Sequence, residues 1–285
     1  MTLATFHHRE FPLSRIREAK RETVTVCLPA RDVATTIGPI LEVVLGLRDE
    51  GVVDQVLVID AASADGTAAL AEGLGAEVHQ EADLMPEFGP ALGKGDAMWR
   101  GLSVARGDIV AYVDADSESF GDHYVRGLVG ALVCEPGIEF VKGFYRRPFK
   151  LGDQVDDQGG GRVTELTARP LLAMFWPELA QMRQPLAGEV AARRRLFERI
   201  PFATGYAIET TMLIDVYRLV GIDALAQVDL VVRQNRHQPL AALNRMASSV
   251  LEGAATRLRQ DGRLATLPEV ELDERPPLAS LRMAA

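Results

Sequence analysis

Only two cysteines occur among the 285 residues, Cys27 and Cys134. They form no Cys-x-x-Cys pair, so neither structural zinc nor a disulfide framework is expected. Cys27 lies inside an apolar run and reads as packing. No stretch approaches the ~20 apolar residues that a membrane-crossing helix needs. The polar residues 1–22, with His7, His8 and several arginines, lack the hydrophobic segment of a signal peptide. A cytoplasmic protein without a membrane partner is the expectation. Basic excess is missing too, since 31 Lys and Arg stand against 40 Asp and Glu, for a formal charge of −9. That argues against nucleic acid as a partner, whereas a small anionic ligand needs only a local basic pocket. The chain has no internal repeat, no Gly-x-x-x-x-Gly-Lys-Ser/Thr loop, no His-Glu-x-x-His and no Ser-His-Asp order. Counting from Asp114, the sixth residue is Ser119 and the twelfth Val125, where an EF-hand loop needs Gly and Glu.

What is present gathers at predicted strand ends. Hydrophobic residues make up 47% of the chain, enough for one large α/β domain or a domain of about 200 residues with an appendage. The run Asp108-Ile-Val-Ala-Tyr-Val-Asp-Ala-Asp116 ends an apolar strand on two carboxylates one residue apart. Side chains at i and i+2 share a strand face, and like charges so close repel unless a cation lies between them. Mg²⁺ or Mn²⁺ carrying a phosphorylated ligand suits the pair, because both ions favour carboxylate and phosphate oxygens. Val24–Ala30, Gln55–Asp60 and the shorter Glu77–Gln80 read as further strands. Helical spacing joins Ile37, Ile40, Leu41, Val44 and Leu47, and recurs over 68–74 and 93–106. This alternation through roughly the first 135 residues predicts an α/β fold with a doubly wound, Rossmann-like, mainly parallel sheet. Ligands bind beyond the carboxyl ends of such strands, where Pro29-Ala30-Arg31, Asp60-Ala61-Ala62 and Asp114-Ala115-Asp116 all fall. Beyond them the pattern predicts a strand at Phe140–Arg146 and a mobile acidic, Gly-rich loop at 153–161. Helical patterns follow over 162–182, interrupted at Pro170 and Pro177, and over 209–220. A strand at 229–233, a helix at 239–258 and a poorly ordered tail from Asp261 complete the reading.

Several segments outside the acidic pair can carry chemistry. Gly93-Lys94-Gly95-Asp96 precedes a helix and presents free N–H groups and a lysine to a diphosphate; it equally suits a Gly-rich cap with a solvated lysine. Gly159-Gly-Gly161-Arg162-Val-Thr164 offers backbone N–H groups, a guanidinium and a hydroxyl to an anion, or is a flexible linker. Glu189, after the turn Gln184-Pro-Leu-Ala-Gly188, can grip a sugar hydroxyl or favour the first turn of a helix. Arg193 to Arg195 read as a solvated helix face. Arg233, Asn235, Arg236 and His237 cluster after a strand, where a histidine serves as a metal or phosphate ligand or a structural side chain.

Together these segments closely resemble the glucosyl-3-phosphoglycerate synthase family, retaining glycosyltransferases of the GT-A fold. The resemblance spans about residues 24–245. It is carried by Gly93-Lys-Gly-Asp-Ala-Met-Trp-Arg100, Gly107-Asp-Ile-Val-Ala-Tyr-Val-Asp-Ala-Asp116, Val141-Lys-Gly-Phe-Tyr-Arg-Arg-Pro148 and Gly159-Gly-Gly-Arg-Val-Thr-Glu-Leu166. Gln184-Pro-Leu-Ala-Gly-Glu189 and Pro201-Phe-Ala-Thr-Gly-Tyr206 agree with it. The resemblance implies that Pro29, Ala30, Arg31 and Asp60 line the nucleoside pocket, that Lys94 meets the nucleotide and that Asp114 meets the ribose or sugar. Asp116 would hold Mg²⁺ or Mn²⁺ against the diphosphate of a UDP- or GDP-sugar. Gly161, Arg162 and Thr164 would receive the anionic group of a small acceptor, with Arg233 and His237 beside it, and Glu189 would contact the donor sugar. Asp116, Glu189 and Arg162 are thus the candidate catalytic residues, and Asp116 and His237 the candidate metal ligands. The implied organisation is an N-terminal helical or flexible segment (1–23), a nucleotide-sugar-binding half (24–150), a helical acceptor-binding part (151–245) and a C-terminal helix with a flexible tail (246–285), assembled as a homodimer. Two departures stand out. Pro29-Ala-Arg-Asp-Val33 lacks the acidic residue that typically follows the family's Pro-Ala-Leu-Asn turn. The family's metal-ligand histidine falls on Asn235 and an acceptor-contacting asparagine on His237, unless a register shift restores His237.

Other functions make distinguishable predictions. A same-fold enzyme of specialised metabolism would use a GDP-sugar and another small acceptor, with S-glycosylation as in lincosamide assembly one form. A sugar-1-phosphate nucleotidyltransferase would want glycines after the first strand, which Pro29-Ala-Arg-Asp-Val33 does not supply. A non-catalytic nucleotide-binding scaffold would be indifferent to loss of Asp116.

Overall fold

A computed structural model describes residues 2–151, 154–156, 160–234 and 239–263. Ten strands follow in chain order: β1 (Ala4–His7), β2 (Val24–Ala30), β3 (Gln55–Asp60), β4 (Glu77–Gln80), β5 (Ile109–Tyr112), β6 (Phe140–Arg146), β7 (Phe149–Leu151), β8 (Gln154–Asp156), β9 (Val190–Arg193) and β10 (Leu225–Val232). β7 and β8 form a separate antiparallel pair, and the other eight form one sheet in the order β1-β10-β6-β9-β5-β2-β3-β4. Every neighbouring pair in that sheet is parallel except those of β9, which runs antiparallel to both β5 and β6. The expected mainly parallel, doubly wound α/β sheet is therefore present, with one reversed strand near its centre.

Strand alternation sorts the core into two layers. In β2, Val24, Val26 and Leu28 face the side where Ile37, Ile40, Val44, Leu128 and Val129 pack. Cys27 points to the other side, among Met98, Ile208, Met212 and Leu258. Helices Ala34–Asp49 and Asp122–Cys134 thus cover one face, and Lys94–Val104, Ile208–Val220 and Leu240–Gln260 the other. Among the described residues no helix is long and apolar enough to cross a membrane.

The structure differs from the sequence reading in five places. Residues 1–23, expected to be helical or flexible, hold the helix Leu13–Ala19 but also contribute β1, an edge strand whose four residues pair in parallel with β10; a strand so short carries little period-two signal. Val190-Ala-Ala-Arg193 is a fully paired strand, with alanines too small to mark it. β10 starts at Leu225, ahead of the expected 229, because Gln227 is buried with its amide satisfied: its oxygen accepts from Arg183 N at 2.9 Å and its nitrogen donates to Thr5 Oγ1 at 3.1 Å. Pro170 does not interrupt its helix: a π turn at Thr164–Ala168, with Arg169 N–H bonded back to the Thr164 carbonyl, leads straight into Arg169–Phe175 and absorbs the irregularity at the proline. Within the expected loop at 153–161, Gln154–Asp156 is β8, while 153 and 157–159 lie outside the described residues. The tail beyond Arg263 lies outside them as well.

Candidate active site

The reversed direction of β9 explains how the site assembles. Asp114 follows the carboxyl end of β5, and Glu189 precedes the amino end of β9, so both arrive at the same rim of the sheet. Gly188 makes the approach possible, since a Cβ there would lie 2.3 Å from the Asp114 carboxylate oxygens. Arg233 enters from β10. A register break between Asp229 and Val232 leaves Val231 at φ +74°, and its N–H turns to the Asp229 carboxylate at 2.8 Å. Bulges re-aim the chain locally, and here Arg233 swings inward. Its Nη1 donates to Asp114 Oδ2 at 2.7 Å, Glu189 Oε1 at 2.7 Å and the Tyr145 hydroxyl at 2.9 Å, while Nη2 donates to Asp116 Oδ1 at 2.7 Å. Tyr145 in turn donates to Glu189 Oε2 at 2.7 Å.

Lys94 approaches from the opposite side, at the first position of helix Lys94–Val104. Its Nζ lies 2.6 Å from Asp114 Oδ1 and 2.8 Å from Glu209 Oε1. Gly95 lets this helix end sit against the chain at Ala203, whose carbonyl oxygen would be 1.9 Å from a Cβ. Beneath the rim, buried Lys142 donates to the Ala187 carbonyl at 2.7 Å and so holds the turn that carries Gly188 and Glu189.

Burial dominates the electrostatics, and the pairing decides the signs. Burial would raise the Asp114 carboxyl, but Lys94 and Arg233 outweigh it and hold the group below the usual carboxylate range. Burial would lower Lys94, yet Asp114 and Glu209 keep its ammonium above the ordinary lysine range. Glu189 is pushed up by burial, offset by Arg233 and reinforced by Asp114. Burial brings Lys142 down to about 8.

A cavity of about 780 Å³ opens over this network. Pro29, Ala30, Arg31, Lys94, Asp114 and Asp116 line it, and so do Gly161, Arg162, Thr164 and Arg233. Ten of the sequence-derived site residues thus share one wall system, although they come from five separate stretches of chain. Two described ones, Asp60 and Glu189, do not appear there. Asp60 is buried and accepts from Ser63 N at 3.0 Å; at its strand end the wall is made by Ala61 and Ala62. Glu189 is fully buried below the cavity surface, because Gly188 takes the surface position and Arg233 and Tyr145 occupy its oxygens. His237, with Asn235, lies outside the described residues. Arg193 is no solvated helix residue: it ends β9 and pairs with Glu22 at 2.9 Å. Sequence reading passed over Tyr145, Glu209 and Glu81. Glu209 carries the one available signal, an acidic residue in the first turn of a helix.

The rim is pre-formed by two loops that hold each other. Asp32 and Ala62 have φ values of +50° and +54°. Asp32 N donates to Ser63 Oγ at 2.9 Å, and Asp32 Oδ1 accepts from Ala64 N at 3.0 Å. Ala34 N is capped by Asp65 at 2.9 Å.

Four carboxylates, Asp114, Asp116, Glu189 and Glu209, face three cationic side chains, Lys94, Arg233 and Lys142. The Asp116 side chain is 55% exposed at the cavity mouth. An open carboxylate at Asp116, two residues from Asp114, fits a hard divalent cation, which commonly takes one or two carboxylates and completes its shell with substrate phosphates and water. Among the described residues no three acidic, His or Cys side chains form a closed metal cage.

Known proteins carry the comparison further. A model described as "Glycosyl transferase family 2" matches residues 25–155. Glucosyl-3-phosphoglycerate synthase of Mycolicibacterium paratuberculosis is 44% identical over 238 residues, covering 82% of this chain and 72% of that protein. The structure of mannosyl-3-phosphoglycerate synthase from Rubrobacter xylanophilus matches with TM-score 0.85 at 48% identity, covering 96% and 85% of the two chains. Glucosyl-3-phosphoglycerate synthase from Mycobacterium tuberculosis, solved with Mn²⁺, UDP-glucose and phosphoglyceric acid, matches with TM-score 0.81 at 38% identity, covering 98% and 99%. Identity at this level over most of both chains, on a sheet of the GT-A type, gives the assignment: the chain belongs to the glucosyl-3-phosphoglycerate synthase family and is a glycosyltransferase.

Proposed function

We propose that the protein transfers a hexosyl group, with retention of configuration, from a nucleoside-diphosphate sugar to 3-phosphoglycerate. The observation that carries this reading is one continuous cavity joining Lys94, Asp114 and Asp116 to Gly161, Arg162 and Thr164. One end suits a donor diphosphate, the other the anionic groups of a small acceptor. The relatives' names support both substrates, and they include glucosyl and mannosyl enzymes.

Each residue's task follows from its surroundings. Lys94, kept charged by two carboxylates, offers its remaining hydrogen-bonding capacity to the diphosphate. Asp116, with Asp114 behind it, would hold Mg²⁺ or Mn²⁺; when bound, the ion neutralises charge on the departing diphosphate. Arg162 and Thr164 with the Gly161 backbone would grip phosphate or carboxylate. Glu189 is spoken for by Arg233 and Tyr145, so a double displacement through that carboxylate has no free nucleophile. Retention then favours front-face attack, with the leaving phosphate taking the acceptor's proton, unlike the paired-carboxylate scheme of glycosidases. Arg233 fixes Glu189 and Asp114 relative to each other.

A homodimer and a cytoplasmic site belong to the same proposal. Leu166, Leu240 and Leu251 are exposed and supply apolar surface for a partner; light scattering would give the mass. For the reaction itself, UDP- and GDP-sugars are incubated with 3-phosphoglycerate and Mn²⁺ or Mg²⁺, and the anomeric configuration of the product is read by NMR. A retained glycosyl-phosphoglycerate is expected. Turnover on a different acceptor with none on 3-phosphoglycerate would overturn the acceptor assignment.

A further inference from the structure

The end of the cavity beside β4 holds a carboxylate oxygen that nothing among the described residues satisfies. Glu81 follows β4, is 3% exposed and lines the cavity. Its Oε1 is buried without a hydrogen-bond partner among the described residues. A buried unpaired carboxylate oxygen is costly, and the neighbouring cation does not relieve it. Arg100 commits Nε to Asp96 at 3.0 Å and Nη2 to the Gly89 carbonyl at 2.8 Å. Its Nη1 is spent on backbone carbonyls, that of Leu84 foremost, and meets Glu81 only through its main-chain oxygen. Burial and the nearby Asp96 raise the Glu81 carboxyl, with Arg100 and Arg31 acting against them. Ala30, Asp60 and Gln80 lie in register across β2, β3 and β4, so Arg31 and Glu81 both leave the sheet at the same rim; Arg31 is exposed and lines the same cavity. Asp60 also has an unpartnered oxygen at this rim, but it is not in the wall.

Sheet order places Glu81 relative to the chemistry. Walking from β4 through β3 and β2 to β5 crosses three strand spacings, about 14 Å at ~4.8 Å each, before Asp114 is reached. A nucleotide whose diphosphate lies at Lys94 and Asp116 has its base at the far end of that walk, between the tips of β2, β3 and β4.

We propose that Glu81 and Arg31 read the edge of the donor's base, Glu81 accepting a ring N–H and Arg31 donating to the adjacent carbonyl. This inference rests on the transferase reading of the cavity. Uracil presents N3–H beside O4, and guanine N1–H beside O6. Cytosine and adenine invert the pattern, with a bare ring nitrogen beside an amino group, and would leave Glu81 unsatisfied and an amino group facing Arg31. The pair therefore selects keto bases over amino bases.

Calorimetric titration of UDP, GDP, CDP and ADP with Mn²⁺ tests this in the intact protein and in Glu81→Gln, Glu81→Ala and Arg31→Met. The intact protein is expected to bind UDP or GDP about tenfold or more tighter than its amino counterpart. In Glu81→Gln and Glu81→Ala that ratio should fall to within about threefold, as the acceptor is lost or becomes ambivalent. Equal binding of UDP and CDP, and of GDP and ADP, overturns the inference while leaving the transferase reading intact. Failure of every nucleotide to bind overturns both. A preference that persists in folded Glu81 variants removes Glu81 as the reader. Should those variants not fold, an unchanged preference in Arg31→Met, whose side chain is on the surface, overturns the pair.

Discussion

Nη2 of Arg233 lies 2.7 Å from Oδ1 of Asp116 and joins a side chain that is 3% exposed to one that is 55% exposed. The arginine is set into the sheet rim by Glu189, Asp114 and Tyr145, whereas the aspartate keeps an open face toward the cavity. The two ends of this ion pair therefore answer differently to mutation.

At the open end, Asp116→Ala removes an oxygen donor without uncovering core. Stability is expected to fall by no more than about 1 kcal/mol, because Arg233 retains two carboxylates. Transfer activity should fall by about 100-fold or more, with a flattened Mn²⁺ dependence. Activity and metal response equal to those of the unaltered protein would remove Asp116 from the reaction.

At the buried end, Arg233→Met leaves Asp114 and Glu189 close together without their shared cation. Breaking a buried pair from one side costs about 3–5 kcal/mol, and the denaturant midpoint should report a loss of that order. Arg233→Lys keeps the charge but not the fork that reaches two carboxylates at once, so it should recover only part of the loss. A Met variant as stable as the starting protein would mean that the network contributes nothing to the fold.

How much of this could be read in advance depended on whether a residue's role was local. β2, β3 and β5 announce themselves as apolar runs ending in polar turns, and the acidic pair at Asp114 and Asp116 falls where such a run stops. Lys94 and Arg162 were legible because glycines flank them. Tyr145 and Glu209 were not: each acquires its role only when β6, β9, β10 and helix Ile208–Val220 converge, across sequence separations no periodicity encodes. Glu189 shows the converse. Its turn was visible, but the antiparallel course of β9 and the small Gly188 put it under the cavity wall rather than in it. Glu81 gave no signal, since an acidic residue after a short, half-buried strand usually faces water.

Val231 holds a conformation unusual for a β-branched side chain, φ +74°. Positions of this kind cost of order 1–3 kcal/mol. Val231→Gly removes the steric cost of about 1–3 kcal/mol and adds about 1 kcal/mol in chain entropy, so a net stabilisation of up to about 2 kcal/mol is expected, with activity kept because the bulge that aims Arg233 remains. Val231→Ala should not share the gain. Thermal melting of both variants beside activity assays gives the answer, and a destabilised Gly variant would show that the side chain's packing outweighs its backbone strain.

Lys142 gives a pH signature with a definite sign. Burial lowers its folded value to about 8, against about 10.4 in an unfolded chain. Between those values the unfolded state binds more protons, so stability rises with pH across the window. The contribution is fully present above about 10.4 and is lost as pH falls through about 8; the shift corresponds to about 3 kcal/mol. Tyrosines also titrate at the upper end, so the measurement is a difference: stability of the unaltered protein minus that of Lys142→Met, followed from pH 7.5 to 10.5. That difference should climb by a few kcal/mol. The Met variant should also lose activity at every pH, because the Ala187 carbonyl loses its donor and the turn bearing Gly188 and Glu189 loses its anchor. A flat difference would mean that the buried lysine is not held in the low range, and unchanged activity would mean that the turn needs no anchor.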